Sequence, residues 1–525
     1  MRKENLVLVV IVTGILQLNQ EAIAAKRHQH HTRDHTIDES EQCNHWEKLF
    51  KQNQESVSAT LPPSVAGIWV SERCETRPGP EYLLRKYYFF VNGTFLLEQF
   101  YYLDDSCTLP AFFISVRGCF TFTQPSWIVP GGMEAEYIVN HIYLVPYSND
   151  MAHNLQHRIN RSCPGFVRKP LRSYKKYQVY SYGEGVHHRK GNDVTEVVED
   201  VNCLSSLHIT FNELQLMRVE HRRPFHHRHR PRNTRIELFL GDIHTQYHKR
   251  EQYRPTSYQQ PLLKNKHRGC HICHLMTKSN DFSPPQLPAR ARLPVYMAGE
   301  WISTRCEVRP LGMFVTRRMK FFNFNQSWHG VYKYFKDPNC RNPLFVLVAE
   351  GEFRAGRPSQ RFRGNTNYDF IVEKASIAPL DQLFVNNLNG QEDQCGLVDS
   401  WRLNITQDVT LSGGCSGIGL TVPSTEFDVV RTDIDHHGNS LLYLGEINTE
   451  NVPATPDKRP TSYQTPLIQC RAFADYPGKN ELFPLPQTQH VMFNSKVSVL
   501  SHGSSISFVV VAILCVTSST HVIIK

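Results

Sequence analysis

Apolar and polar residues alternate along much of this chain with the two-residue period of β-strands. In the segment 327–334, Trp328, Tyr332 and Tyr334 fall on one face and Lys333 falls on the other. The segment 94–101 keeps the same parity at Phe95 and Tyr101. Other short runs rich in β-branched and aromatic residues, separated by glycine and proline, are 112–116, 237–240, 345–348 and 368–372. The pattern predicts an all-β fold with few short helices, of which the best candidate spans residues 150–160.

A tight hairpin is predicted where Asn92-Gly93 lies between two apolar and aromatic segments. This dipeptide is typical of type I′ turns, because both central residues of such a turn need positive φ. We therefore expect two antiparallel strands to meet at this point.

A twelve-residue motif occurs twice, at residues 67–78 and 299–310, and reads W-[IV]-S-x-R-C-E-x-R-P from its tryptophan. The offset of 232 (306 − 74) persists far beyond the motif, since Cys107 matches Cys340 at 233. Repeats of solenoids are about 20 to 50 residues long, so this much longer period indicates two whole domains. We predict two tandem homologous β-barrel-like domains, each a curled antiparallel sheet.

The two copies and their flanks divide the chain into seven segments. The closing Arg-Pro-Thr-Ser-Tyr-Gln segments at 254–259 and 459–464 are only 205 residues apart, so the first copy holds about 28 extra residues. The predicted boundaries are a signal peptide (1–25), a flexible His/Arg-rich arm (26–60), a first repeat domain (61–275) with a basic insertion (about 166–236), a linker (276–289), a second repeat domain (290–470), a stalk (471–500) and a hydrophobic tail (501–525).

Both ends of the chain indicate export to the cell surface. Residues 1–25 combine a basic start, an apolar stretch and an Ala-Ile-Ala-Ala ending, as in secretory signals. The tail fits either a transmembrane span or the signal for a glycosylphosphatidylinositol anchor, and the sequence leaves both open. We expect a plasma-membrane protein facing outward, with glycans at the four sequons Asn92, Asn160, Asn325 and Asn404.

Positive charge is concentrated rather than spread evenly. The formal net charge is +9, and much of it lies in residues 26–35 and 221–235. Clustered basic residues in an exported protein favour heparan sulfate over nucleic acid. The candidate polyanion-binding residues are Arg222, Arg223, Arg228, Arg230 and Arg232.

These motifs resemble the adenomatosis polyposis coli down-regulated 1 family. The resemblance rests on the repeated motif at Trp69 and Trp301, the segment 240–244 and the two closing segments, and it covers residues 43–470. It implies a membrane-anchored glycoprotein that inhibits Wnt signalling upstream of β-catenin. It also implies two apposed barrel-like domains, binding of Wnt ligand and co-receptor, and a hydrophobic pocket for a fatty acyl chain.

Aromatic residues crowd both copies and supply the candidates for that pocket. Most aromatic side chains of a small barrel fill its core, so core filling is the competing interpretation for each of them. The candidate lipid-contacting residues are Phe95, Tyr101, Phe113, Trp127, Phe322, Trp328, Tyr332 and Tyr334.

The fourteen cysteines predict disulfides, because the chain is expected in an oxidising compartment. Corresponding positions in the two copies favour the pairs Cys74–Cys107 and Cys306–Cys340. The next candidates are Cys163–Cys203 and Cys395–Cys415. The Cys-x-x-Cys-His string at 270–274 is a poor haem or zinc site, because a cysteine of an exported protein pairs more readily with another cysteine. We expect no cofactor and no metal.

Catalytic motifs are missing from the sequence. The glycines of 413–419 fit neither a nucleophile elbow nor a dinucleotide-binding loop. We therefore expect a non-enzymatic Wnt antagonist that binds Wnt, co-receptor and a fatty acyl group, with a homodimer left open and nucleic acid excluded. The alternative is a heparan-sulfate or matrix-binding scaffold that affects signalling only indirectly.

Overall fold

The computed structural model of this 525-residue chain describes residues 39–164, 167, 169–182, 207–222, 234–390, 395–396, 399–435 and 438–471. The expected signal peptide, the tail and nearly all of the expected stalk lie outside these residues. No helix in the described part of the chain has the length and apolar character needed to span a membrane.

Eight strands of the first half close into a barrel by antiparallel pairing. The order around the ring is β1, β3, β4, β5, β6, β8, β9, β10 and back to β1. Strand β2 pairs with β3, and β7 pairs with β6, outside the ring. The strands are β1 (Gly67–Val70), β2 (Glu75–Arg77), β3 (Glu81–Phe89), β4 (Thr94–Tyr102), β5 (Pro110–Pro125), β6 (Met133–Pro146), β7 (Tyr177–Ser181), β8 (Leu216–Arg222), β9 (Arg235–Leu240) and β10 (Leu262–Lys264).

The second half repeats this topology. Its ring runs β11, β13, β14, β15, β16, β21, β22, β23 and back to β11. Strand β12 pairs with β13, β17 with β15, β18 with β17, and β19 with β20. The strands are β11 (Gly299–Ser303), β12 (Glu307–Arg309), β13 (Met313–Phe322), β14 (Ser327–Phe335), β15 (Pro343–Pro358), β16 (Thr366–Val372), β17 (Lys374–Pro379), β18 (Gln407–Asp408), β19 (Gly414–Cys415), β20 (Leu420–Thr421), β21 (Ser424–Ile434), β22 (Ser440–Leu444) and β23 (Leu467–Arg471). The predicted all-β fold of two tandem barrel-like domains is confirmed; we call the two rings barrel 1 and barrel 2.

Four short α-helices lie in the described segments: α1 (Glu39–Glu55), α2 (Asn149–Ser162), α3 (His271–Lys278) and α4 (Gln382–Asn389). Helix α1 falls where the sequence analysis expects a flexible arm. It packs Trp46 and Phe50 beside Ile302 and Ile468 of barrel 2. A disulfide from Cys43 of α1 to Cys470 of β23 ties the helix to that barrel. Helix α1 therefore braces the second barrel.

The predicted hairpin joins β3 to β4, with the backbone N–H of Phe90 donating to the carbonyl of Thr94. Of the two central residues, only Gly93 adopts a positive φ, of 78°. The type I′ turn is therefore not formed, although its two strands meet as expected.

The extra residues of the first copy flank a strand of the barrel wall. The offset between equivalent positions falls from 232 at Cys163 and Cys395 to 213 at Met217 and Val430, and then to 204 at Leu240 and Leu444. Nineteen residues (232 − 213) are therefore added before β8 and nine (213 − 204) between β8 and β9. The expected insertion of 166–236 contains β8 itself, which belongs to the ring.

The repeated motif builds the same buried polar network in each barrel. In barrel 1, Glu75 accepts hydrogen bonds from Ser71 and from the Arg85 guanidinium at 2.6 Å. In barrel 2, Glu307 accepts from Ser303 at 2.6 Å and from Arg317 at 2.9 Å. A buried charge costs several kcal/mol of folding free energy unless it is paired. Each buried glutamate therefore needs its serine and arginine partners, and both barrels keep them at equivalent positions.

Candidate functional site

The two barrel interiors differ in a row of side chains that crosses neighbouring strands. In barrel 1 the inward residues Leu97, Val116 and Ile142 pair across β4, β5 and β6. The equivalent row in barrel 2 is made of Gly330, Ala349 and Ala375. The exchange removes about nine side-chain carbon atoms from the interior wall of barrel 2. The space that these atoms would occupy is either filled by other side chains or left open.

Water reaches inward-facing side chains in barrel 2 at positions that are sealed in barrel 1. The barrel 1 residues Gln99, Ile114 and Glu213 have no exposed surface, and Tyr101 is 6 % exposed. Their barrel 2 equivalents are partly exposed at Tyr332, Leu347 and Tyr334 and exposed at Glu426. Because these residues pair with inward neighbours such as Phe345 and Phe370, the water that touches them lies on the inner face of the wall. Barrel 2 therefore has an accessible interior.

Barrel 1 also holds a buried ion pair whose counterpart does not form among the described residues of barrel 2. The Arg77 guanidinium donates to Glu213 at 2.8 Å, and the same carboxylate accepts from Tyr87 at 3.0 Å and from Gln99 at 3.4 Å. Burial raises the pKa of Tyr87, and the Glu213 carboxylate raises it further. This network crosses the interior and ties β2, β3 and β4 to the segment before β8.

In barrel 2 the equivalent carboxylate, Glu426, is not paired with Arg309. Arg309 lies instead beside Glu307, at 3.4 Å. The tyrosine and glutamine that complete the first network are replaced by Met319 and Tyr332. Burial raises the pKa of Glu426, and Arg309 partly offsets this effect.

Different groups cover the ends of the two interiors. In barrel 1, helix α2 contributes Ala152, Leu155 and Ile159 to the core, and Phe211 joins them. In barrel 2, the shorter α4 contributes Val385 and Leu388, and Ser424 stands at the position equivalent to Phe211. An aromatic stack in barrel 2 runs from Tyr334 through Phe345 to Phe384, with ring centroids 4.5 and 4.6 Å apart. The stack gives the accessible interior an apolar side.

The two barrels face each other with approximate twofold symmetry. The backbone N–H of Gly79 donates to Thr461 at 2.7 Å, and the equivalent N–H of Leu311 donates to Thr256 at 3.1 Å. The hydroxyls of the equivalent residues Thr245 and Thr449 lie 3.2 Å apart, as expected of a pair on the symmetry axis. This arrangement matches the isologous interface of a symmetric dimer.

A cavity of about 1150 Å³ lies between the barrels and is lined by both copies of the repeated motif. Charged side chains such as Arg73, Arg235, Arg305 and Arg431 line it, and no lipid candidate from the sequence analysis does. A hydrocarbon chain in this cavity would have to displace water from these charged groups without offering them a hydrogen bond.

The eight aromatic candidates lie in four different environments. Trp328, Tyr332 and Tyr334 face the accessible interior of barrel 2. Phe95 and Tyr101 are buried in the filled core of barrel 1, and Phe113 packs in a separate cluster outside that core. Trp127 is 78 % exposed on a loop, and Phe322 points outward because its neighbour Phe321 on β13 belongs to the core, so neither lines an interior.

Three of the four expected disulfides are formed, at Cys74–Cys107, Cys306–Cys340 and Cys395–Cys415. Cys163 is disulfide-bonded, and its expected partner Cys203 lies outside the described residues. Cys43–Cys470 and Cys270–Cys273 are further pairs, and Cys119 is a free thiol. Among described residues, the cluster close enough to hold a metal ion contains Cys43 and Cys470, whose sulfurs are joined to each other.

The expected polyanion-binding residues are only partly described. Arg222 is buried in β8, where it donates to Glu220 at 3.3 Å and to Gln54 at 3.2 Å. It is thus committed to the wall of barrel 1. Arg223, Arg228, Arg230 and Arg232 lie outside the described residues.

Three of the four sequons present an exposed asparagine. Asn92 and Asn325 occupy equivalent exposed turns, where each side chain accepts from the residue two positions later, and Asn404 is exposed as well. Asn160 differs, because its amide exchanges hydrogen bonds with Val167 at 3.0 and 3.3 Å. The first three positions suit a glycan better than Asn160 does.

Sequence reasoning missed Glu426, Leu347 and the row Gly330–Ala349–Ala375. The offset between the copies has changed to 213 by Glu426, so its match to Glu213 is hidden until the strands are aligned. The small residues could have been found by comparing Leu97 with Gly330 at the offset of 233.

A family model described as adenomatosis polyposis coli down-regulated 1 matches residues 42–288 and again residues 289–475. The two matches correspond to barrel 1 and barrel 2 and together cover most of the chain. The repeated motif and the paired barrels thus agree with the match, and membership fits an inhibitor of Wnt signalling in general. This chain belongs to the adenomatosis polyposis coli down-regulated 1 family.

Proposed function

We propose that this protein is an extracellular, membrane-associated inhibitor of Wnt signalling that holds the fatty acyl chain of the Wnt ligand inside barrel 2. The observation that carries the proposal is the contrast between the interiors: Leu347 and Tyr334 are water-accessible, whereas Ile114 and Tyr101 are packed. An interior that is open before binding can take up a hydrocarbon chain without unfolding.

The energetics favour an acyl chain as the occupant. Burying a chain of about 16 carbons contributes on the order of 10 kcal/mol before association costs, at ~0.8 kcal/mol per methylene. The aromatic stack of Tyr334, Phe345 and Phe384 and the ring of Trp328 provide apolar contacts. Hiding the acyl group from the receptor would inhibit signalling upstream of β-catenin, with co-receptor binding as a second contribution.

The variant Leu347→Trp tests the proposal, because it directs a larger side chain into the open interior. The outward-facing Val346→Trp on the same strand is the matched control. We expect Leu347→Trp to weaken binding of an acylated Wnt at least about tenfold, with folding retained, and Val346→Trp to leave binding unchanged. Equal binding of acylated and non-acylated Wnt by the unmodified protein would contradict the proposal.

A further inference from the structure

The carboxylate of Glu426 faces the open interior of barrel 2. In the antiparallel ladder, Glu426 pairs with Phe370, and Phe370 pairs with Phe353. Both phenylalanines belong to the core of barrel 2, so the three side chains lie on the inner face. Glu426 is nevertheless exposed to water, which means that it borders open space inside the wall.

Glu426 has no hydrogen-bond partner among the described residues, whereas its equivalent Glu213 has three. The charged groups around Glu426 are already engaged: Arg317 donates to Glu307 at 2.9 Å, and Arg309 lies 3.4 Å from the same carboxylate. Asp428, on the same strand, accepts from the backbone N–H of Gly445 at 2.7 Å. Among these charged groups, Glu426 is therefore the one whose side chain makes no hydrogen bond or ion pair within the described part of the chain.

Two hydroxyl groups complete the site. Within the described segments, the hydroxyls of Tyr332 and Tyr334 make no hydrogen bond to the protein, although both rings face the interior. Burial raises the pKa of both tyrosines, and the Glu426 carboxylate raises each further, so they remain protonated donors. The equivalent barrel 1 groups lie within hydrogen-bond distance of one another, because Gln99 donates to Glu213 at 3.4 Å and accepts from Tyr101 at 2.9 Å. The shared ladder therefore brings Tyr332 and Tyr334 to the same part of the interior as Glu426.

We propose that Glu426, Tyr332 and Tyr334 form a polar subsite that selects an esterified acyl chain over a free fatty acid. An ester is neutral, and its carbonyl oxygen can accept from the tyrosine hydroxyls. A free fatty acid brings a carboxylate towards Glu426, where repulsion between like charges is strengthened by the surrounding protein. This inference rests on the proposed function and adds the residues that choose between two ligands with the same hydrocarbon chain.

Protonation of Glu426 should remove the repulsion. Although water touches Glu426, the enclosing wall of barrel 2 desolvates its carboxylate and raises its pKa. A larger fraction is therefore neutral in mildly acidic solution than for a glutamate on the outer surface. Free acid binding should therefore strengthen as the pH falls, while ester binding should not. The carboxyl group of the fatty acid also gains a proton as the pH falls. The variant Glu426→Gln separates this contribution from that of Glu426.

The test compares binding of methyl palmitate and palmitate to the full chain and to Glu426→Gln, with Glu352→Gln as control. Glu352 is exposed on the outer side of the same barrel. We expect the unmodified protein to prefer the ester at least about tenfold at neutral pH, and Glu426→Gln to raise palmitate affinity about tenfold without changing ester affinity. Glu352→Gln should leave both affinities unchanged.

Each alternative outcome is decisive. If the ester binds but the preference is the same in Glu426→Gln as in the unmodified protein, the subsite is wrong and the proposed function stands. If neither ligand binds the unmodified protein, the proposed function fails with it. A preference for ester that weakens in Glu426→Gln and persists in Glu352→Gln supports the subsite.

Discussion

Barrel 1 and barrel 2 share a ring topology, the Ser–Glu–Arg network and a disulfide at equivalent positions, yet their interiors are filled differently. Barrel 1 fills its interior with Leu97, Val116 and Ile142 and crosses it with the Arg77–Glu213 ion pair. Barrel 2 has small residues in the same row and leaves Glu426 unpaired among the described residues. One duplicated scaffold can thus hold a filled interior in one copy and an open interior in the other, because only a few inward residues need to change.

The largest change in unfolding free energy should come from shortening the side chains of the row Leu97, Val116 and Ile142 in barrel 1. The double variant Val116→Ala/Ile142→Ala removes buried carbon atoms from a filled core, so we expect a loss of about 4 kcal/mol or more in unfolding free energy. Chemical denaturation measures this loss, and hydrogen exchange of β4 and β5 locates it. The reverse change in barrel 2, Ala349→Val/Ala375→Ile, should cost less than about 1.5 kcal/mol and should weaken acyl binding. Equal losses of unfolding free energy in the two barrels would contradict the difference between a filled and an open interior.

Next in size is the loss of a charge partner. In Glu213→Gln, the buried Arg77 keeps its charge but loses its anion, so we expect destabilisation of about 3 kcal/mol. The equivalent Glu426→Gln should change stability by less than about 0.5 kcal/mol, because Glu426 has no partner to lose within the described part of the chain. Thermal unfolding of the two variants beside the unmodified protein checks this, and a similar loss in both would show that Glu426 supports the fold.

A smaller effect should follow from releasing the brace that α1 gives to barrel 2. Cys43→Ser breaks the bond to Cys470, and Asn265 occupies the equivalent of position 470 in the first copy. We expect a loss of about 2 kcal/mol and faster proteolysis within α1. Cys119→Ser, which removes a free thiol, should leave both properties unchanged. Protection of α1 in Cys43→Ser would mean that Trp46 and Phe50 hold the helix without the disulfide.

The smallest predicted effect concerns pH. Burial raises the pKa of Asp428 to about 7, and barrel 1 has the neutral Gln215 at the equivalent position. The folded state then holds more protons than the unfolded state between about pH 4 and 7, so unfolding free energy falls as the pH rises through this range. Because Asp428 is partly accessible, we expect a total of about 1 kcal/mol. Asp428→Asn should flatten the dependence in urea titrations at several pH values, and an unchanged slope would exclude Asp428 as its source.

The sequence predicted the fold well because alternation and duplication are local or regularly spaced signals. The face shared by Trp328, Tyr332 and Tyr334 follows directly from a period of two, and the interior position of these residues agrees with it. Helix α1 was missed because its polar, histidine-containing sequence buries only a few apolar side chains, among them Trp46 and Phe50. The helix is anchored by a disulfide to Cys470, which is 427 residues away in sequence.

The site was predicted less well because aromatic residue type does not say where a ring lies. Phe113 faces away from the core of barrel 1, and Trp127 lies on an exposed loop. Whether an interior is open depends on the side-chain volumes of several neighbouring strands, such as those of Gly330, Ala349 and Ala375. These volumes can be added together only when the register of the strands is known. The unpaired state of Glu426 likewise follows from where Arg309 and Glu307 lie in space.

The most direct test of the central claim is to locate a bound acyl chain within the full-length protein. A palmitate ester carrying a photoreactive diazirine near its methyl end would be bound, irradiated and mapped by peptide mass spectrometry. We predict labelling of β14, β15 and α4 in barrel 2, lost in Leu347→Trp. Labelling of β4 and β5 in barrel 1, or of the cavity between the barrels, would contradict the account.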